Sequence, residues 1–282
     1  MKSLSKKQQT LLWLERAPKA LFQCIHCQRE LHVTQDGSLK CQNNHTFNLA
    51  KQGYYFLSKV SGDDSYDAEL FKARRRIITE SGFYTPLHQA LKPLLKSARV
   101  IFDAGSGEGS HLACLLVEDQ YGLAFDLSKS GVQLATDYNL KQFNAVVDLT
   151  HLPLQDQSVD VILSILSPSN YDEFQRVGKR LIKVVPNEGY LQEIRQIMYQ
   201  KGWLKTNRYS NEDVLKVFKE HISQYDTLTV KQTVSLTSDQ LKDLVQMTPL
   251  TWQLATEQRH ELIDELLKAS VMTLDVTILI TT

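Results

Sequence analysis

Three of the chain's four cysteines fall in one short segment with the spacing Cys24-x2-Cys27-x13-Cys41-x3-His45, and this pattern constrains the fold more than any other feature. Two close pairs of soft ligands let two tight turns wrap one tetrahedral ion, as a structural zinc requires. A disulfide pair or buried free thiols is the alternative for the same residues. His26, inside the first pair, reads as a solvent-facing turn residue, and Cys114 as a small residue of an apolar stretch. In 282 residues such a module leaves room for one sizeable domain.

No apolar run approaches membrane-spanning length, and Lys2, Lys6 and Lys7 are not followed by the apolar block of a secretion signal. The expectation is a cytoplasmic protein, whose thiolates favour metal over disulfide. Net charge is zero but unevenly spread: residues 1–59 carry nine Lys or Arg against Glu15, Glu30 and Asp36, a surplus of +6 balanced by −6 in the rest. That polarity suits a basic module facing an anionic partner, or an ordinary solvated surface.

From Arg99 onward strands and helices alternate. Residues 100–102, 121–125, 145–147 and 159–165 read as strands, and 112–117 and 130–138 as helices, which implies a parallel sheet covered on both faces. Residues 228–236 and 272–280 are β-rich and suit an antiparallel closing pair. Upstream, residues 1–19 read as a short basic helix around Leu11, Leu12 and Leu14 that ends at Pro18. Residues 61–65 read as a capping turn before a helix with Leu70, Phe71, Ala73, Ile77 and Ile78 on one face, stopped by Gly82. Lys72 and Arg74 to Arg76 crowd its other faces, either as solvated surface or as a phosphate-contacting patch.

After the first strand comes Asp103-Ala104-Gly105-Ser106-Gly107-Glu108-Gly109. A dinucleotide fold receives a pyrophosphate at its glycine loop, and a carboxylate at the strand end would repel it. S-adenosylmethionine carries no phosphate; its amine and its sulfonium are both positive, so Asp103 beside Gly105, Gly107 and Gly109 suits that cofactor. Asp126, after the second strand, is placed to accept ribose hydroxyls. Asp148, after the third, is placed to meet an adenine amine, or to cap a helix.

The chain resembles the bacterial 23S ribosomal RNA guanine-N1 methyltransferases from about Phe22 to the last strand. The resemblance rests on Cys24-Ile25-His26-Cys27, on Cys41-x3-His45-Thr46-Phe47-Asn48-Leu49-Ala50-Lys51-Gln52-Gly53-Tyr54, on Lys72-Ala73-Arg74-Arg75 with Gly82-Phe83-Tyr84-x-Pro86-Leu87, and on Gln246-Met247-Thr248-Pro249. It implies an α/β fold: a Rossmann-like class I methyltransferase sheet with a small N-terminal zinc-binding domain. The expected organisation is a helical extension over 1–19, a zinc-binding RNA-recognition module over 20–58, a helical linker over 59–96 and an S-adenosylmethionine-dependent methyltransferase domain over 97–282. Cys24, Cys27, Cys41 and His45 match the family's zinc ligands. Gly107 and Glu108 match positions touching the cofactor, Tyr84 matches an aromatic closing over it, and Tyr190 stands where relatives can have a cofactor-contacting histidine. The implied substrate is a 23S rRNA hairpin, as naked RNA or in an assembling large subunit, bound by a homodimer. One branch of the family is linked to macrolide resistance.

Two departures stand out: Ser167-Pro168-Ser169 where relatives read Ala-Pro, and Val177-Gly178-Lys179-Arg180 in place of a Lys-Pro-Gly-Gly turn. The serines flanking Pro168 are placed to hydrogen-bond the base. No general base is identified for the N1 proton; His151 and Asp160 read as structural. Phe47, Tyr54 and Tyr55 read as a stacking platform for loop bases, and Trp203 with Lys201, Lys205 and Arg208 as a second RNA edge. Two other functions share the cofactor loop: methylation of a small molecule, which has no need of a basic zinc module, and noncatalytic RNA binding.

Overall fold

A computed structural model of the chain describes residues 3–60 and 68–281; the turn expected at 61–65 lies outside them. The described residues divide into two compact units. The first holds the residues up to Ala68, then Leu94–Lys183 and Thr281; the second holds Glu69–Pro93 and Val184–Ile280.

In the first unit, helix α1 (Lys6–Arg16) starts at a capping box in which Ser5 and Gln8 satisfy each other's backbone N–H groups. Pro18 follows its C-cap, Ala17. Three short strands, β1 (Leu31–Val33), β2 (Leu39–Cys41) and β3 (Thr46–Phe47), form an antiparallel sheet in which Leu31 faces Cys41 and Leu39 faces Phe47. Strand β4 (Tyr55–Phe56) follows. The sequence assigns this stretch to the zinc knuckle, yet Tyr55 and Phe56 pair in parallel with Ala145 and Val146 of the larger sheet.

Two helices, α2 (Ala68–Thr79) and α3 (Thr85–Leu95), precede that sheet in the chain, and Gly82 between them sits at φ +77°. Then come β5 (Val100–Ala104), α4 (Ser110–Leu115), β6 (Tyr121–Asp126), α5 (Lys129–Ala135), β7 (Gln142–Val146), β8 (Val161–Ile165), α6 (Tyr171–Val177) and β9 (Leu181–Pro186). The strand order in this unit is β4-β7-β6-β5-β8-β9. Strands β5, β7 and β8 are buried along their whole length, as expected of parallel strands covered on both faces. The order reverses at β5, with β6 on one side and β8 on the other. Such a switch point opens a crevice at the carboxyl ends of the strands.

Helix α1 is fastened by Trp13, only 1% exposed, whose ring packs edge-on to Tyr121 at 5.9 Å and against Phe143 at 5.4 Å. Its Nε1 donates to the Lys141 carbonyl at 3.3 Å. Deleting so large a buried ring costs about 3–5 kcal/mol. A Trp13→Ala variant is therefore expected to lose that much in urea unfolding, whereas a loss below about 1 kcal/mol, the size of surface effects, would show α1 to be peripheral.

The second unit contains α7 (Gln192–Gln200), α8 (Glu212–His221), β10 (Tyr225–Ser235), α9 (Ser238–Met247), α10 (Thr256–Leu267) and, apart from its last residue, β11 (Val271–Thr281). Facing pairs Thr229–Thr277 and Thr233–Thr273 make β10 and β11 antiparallel, as the β-rich runs suggest. Thr237 and Gln240 form a capping box at the start of α9.

Candidate metal centre and cofactor site

The two pairs of metal ligands sit on two tight turns. In the first, the Gln28 N–H donates to the Cys24 carbonyl and the Cys24 N–H to that of Arg29, each at 2.8 Å, with Gln28 at φ +59°. In the second, the Asn44 N–H donates to the Cys41 carbonyl at 3.0 Å, with Asn44 at φ +63°. The Cys27 and Cys41 sulfurs lie 3.7 Å apart, and His45 Nδ1 lies 3.4 Å from the Cys24 sulfur and 3.5 Å from that of Cys41. A zinc tetrahedron with bonds of about 2.3 Å to sulfur and about 2.0 Å to nitrogen has edges of about 3.8 and 3.5 Å. The three distances above match those edges, and all four ligand atoms lie within 4.8 Å of one another, close enough to converge on one such ion. None of the four cysteines is in a disulfide. Burial pushes the Cys24 thiol up, whereas the Arg29 N–H holds that of Cys27 down; a bound cation deprotonates both. His26 is exposed and stacks on Phe47 at 5.7 Å.

The glycine loop lies at the switch point. Gly105, Gly107 and Gly109 have φ of +72°, +60° and +76°, values that side chains resist. A β-carbon on Gly105 would come 2.8 Å from that of Ser167. Asp103, at the penultimate position of β5, is 2% exposed, and Glu108 is fully buried. This acidic, dry loop repels phosphate and suits a cationic ligand. The Asp126 carboxylate bridges two loops, accepting the Gly107 N–H at 2.8 Å through one oxygen and the Ser128 N–H at 2.7 Å through the other. Asp148 lies two residues past β7, half-buried, and accepts the Thr150 N–H at 2.9 Å in a local turn. The first unit thus brings Asp103, the glycines, Glu108 and Asp126 together at the switch point.

Tyr84 and Tyr190 belong to the second unit, where their hydroxyls lie 2.7 Å apart. Burial, then the neighbouring Tyr84, pushes the Tyr190 phenol well up.

Several residues singled out in the sequence are buried or already paired within the chain. Phe47, Tyr54 and Tyr55 are buried, so none is a stacking platform, and Tyr55 donates to the Gly37 carbonyl at 2.5 Å. Arg76 makes a two-pronged ion pair with Asp243, at 2.5 and 2.7 Å. Lys72 pairs with Glu69, and Lys201 with Glu261. Asp160 accepts the Arg99 and Val100 N–H groups and the Lys179 ammonium. The serines around Pro168 also turn inward: Ser167 donates to the Ala104 carbonyl at 2.6 Å, and Ser169 accepts from Lys183 at 2.8 Å. Lys183 is the residue that sequence reasoning missed, although a single lysine in the apolar strand Leu181–Pro186 is a visible signal.

Comparison with known proteins agrees with this geometry. The family described as "RlmA, N-terminal" matches residues 22–61, and that described as "Methyltransferase domain" matches 102–192. A Bacillus subtilis protein, YxjB, provisionally named a 23S rRNA (guanine-N(1)-)-methyltransferase, is 39% identical over 93% of this chain and 96% of its own. The 23S rRNA (guanine(748)-N(1))-methyltransferase of Streptomyces fradiae is 30% identical over 91% of this chain and 94% of its own. The chain belongs to the 23S rRNA (guanine-N1)-methyltransferase family. Among solved structures, a SAM-dependent methyltransferase from Aquifex aeolicus is 16% identical, covering 61% of this chain and 94% of that one at a TM-score of 0.42. This family member is an α/β methyltransferase that uses S-adenosylmethionine and carries a zinc ribbon with the Cys24, Cys27, Cys41 and His45 cluster. No helix among the described residues is long and apolar enough to cross a membrane.

Proposed function

We propose that this chain transfers the methyl group of S-adenosylmethionine to N1 of a guanine in a hairpin of 23S rRNA. The observation that carries this reading is the pairing, in one chain, of the four-ligand metal cluster with the acidic glycine loop, along nearly the full length of relatives named for that reaction. When bound, the cofactor supplies an electrophilic methyl on a sulfonium. Asp103, Gly105, Gly107, Glu108 and Gly109 hold its methionine end, Asp126 its ribose and Asp148 its adenine, with Tyr84 and Tyr190 as aromatic contacts. The module over 20–58 holds RNA: the surplus of basic charge in residues 1–59 supports this.

In-line attack by a ring nitrogen needs no covalent enzyme intermediate, and orientation alone supplies about 7–11 kcal/mol in favourable cases. The turn after β8 lies against the glycine loop through Ser167 and Gly105, which supports it as the seat of the accepting base.

The test is transfer of labelled methyl to unmodified 23S rRNA, followed by nuclease digestion and mass analysis. The expected result is N1-methylguanine in a single hairpin fragment. Methylation of a metabolite with none of rRNA would replace this reading with the small-molecule one.

A further inference from the structure

Lys183 is 4% exposed and sits in a strand whose other residues are all uncharged. Its ammonium donates to Ser169 Oγ at 2.8 Å, to the Ser167 carbonyl at 3.1 Å and to Ser164 Oγ at 3.3 Å. All three N–H groups of the ammonium are thereby spent on the end of β8 and the turn that follows it. The same turn reaches the glycine loop, since Ser167 donates to the Ala104 carbonyl, and Leu166 within it is held at φ +55°. No carboxylate among the described residues pairs with Lys183. A buried positive charge without a counter-charge is costly and acts over a longer range than an exposed one.

The charged groups of the surrounding elements do not neutralise it. Strand β8 carries none, and Asp160 just before it is taken by Lys179 at 2.8 Å. Beyond the turn, Tyr171 has its phenol pushed up by burial. The acid of β5 is Asp103, assigned above to the cofactor. In β11, whose Thr281 accepts the Leu181 N–H at 2.9 Å, the one acid is Asp275, engaged by Asn187 at 2.8 Å and by Lys231 at 3.3 Å.

We infer that Lys183 is a positioning residue for the transfer: its ammonium fixes the Ser164–Ser169 turn against the glycine loop and places beneath the accepting base an uncompensated positive charge that favours the base's deprotonated form. This rests on the reading of the reaction as guanine N1 methylation. Loss of the N1 proton leaves negative charge on the N1 and O6 side of the ring, which a fixed cation stabilises in a dry site. The proton itself leaves to solvent water; Lys183, with every N–H engaged, does not take it.

The sign of the pH dependence follows. Burial lowers Lys183 to about 8, so its charge is present below that pH and lost above it. Wild-type kcat on rRNA is therefore expected to rise with pH as N1 deprotonates and to fall again above about 8. Lys183→Met removes the charge at every pH, moves the rising limb upward and lowers kcat at the acid end about tenfold for each unit of that movement. Lys183→Arg keeps its charge throughout, so kcat is largely restored and the falling limb disappears.

Steady-state kcat and KM are measured across pH on the full chain with 23S rRNA, alongside cofactor affinity and the thermal midpoint. A Lys183→Met profile of wild-type shape, or a defect confined to KM for RNA, overturns the inference. If neither variant folds, Ser169→Ala, which removes the shortest of the three ammonium contacts, takes their place, and wild-type kcat in it overturns the inference. If the wild type makes no N1-methylguanine at all, the functional reading falls and this inference with it.

Discussion

Replacing Cys24 with Ser is expected to abolish zinc retention and rRNA methylation together. The segment it organises has little else to hold it: its three strands are three, three and two residues long. In modules of this size metal binding is folding free energy, about 10–16 kcal/mol for a structural zinc at neutral pH. Cys24 is fully buried, and its sulfur also accepts the His26 N–H at 3.4 Å, so a shorter oxygen loses both the ion and the turn. Metal analysis is expected to find one zinc per wild-type chain and a small fraction of that in the variant. Hydrogen exchange at Leu39 and Cys41 should accelerate toward the rate of an unfolded chain. A variant that keeps its zinc and its amide protection would show that the other three ligands suffice.

Asp126→Ala is expected to weaken cofactor binding by about hundredfold or more, since hydrogen bonds to a charged group contribute about 1.5–3 kcal/mol each. The carboxylate does two jobs. It joins the Gly107 and Ser128 amides, so its loss frees the glycine loop even before any ligand arrives. It is also the group assigned to the ribose. Asp126→Asn keeps one acceptor oxygen and should fall between wild type and Ala. Calorimetric titration with S-adenosylhomocysteine checks this; wild-type affinity in the Ala variant would remove Asp126 from the site.

The parts of the molecule that were legible in the sequence are those whose chemistry is local. Cys24, Cys27, Cys41 and His45 announce themselves because a metal needs four ligands within two short turns. The strand followed by Asp103 and three glycines is readable because positive φ and close approach select glycine. Partnerships across the chain were not readable. Helical spacing places Arg76 on a polar face, yet nothing near it in sequence reports that Asp243 takes it up. Tyr55 and Phe47 look like a platform beside a basic module, but the chain folds them inward. Alternation identified β7 and marked Asp148 as a strand-end acid, while the local Thr150 turn was beyond its reach. Lys183 was passed over because the alternation was not followed into the strand Leu181–Pro186, and its burial is decided by β8 and the serine turn.

The parallel pairing of Tyr55 with Ala145 and Phe56 with Val146 has a consequence for how the protein is made. The amino-terminal segment leaves the ribosome first and can take up its metal at once, because all four ligands lie close together in the chain. Its last strand then has no partner until β7 has been synthesised, and Trp13 waits for Phe143 in the same way. Closure over so long an intervening stretch is entropically slow. The nascent chain therefore passes through a stage in which a metal-loaded amino-terminal knot trails an unpaired strand.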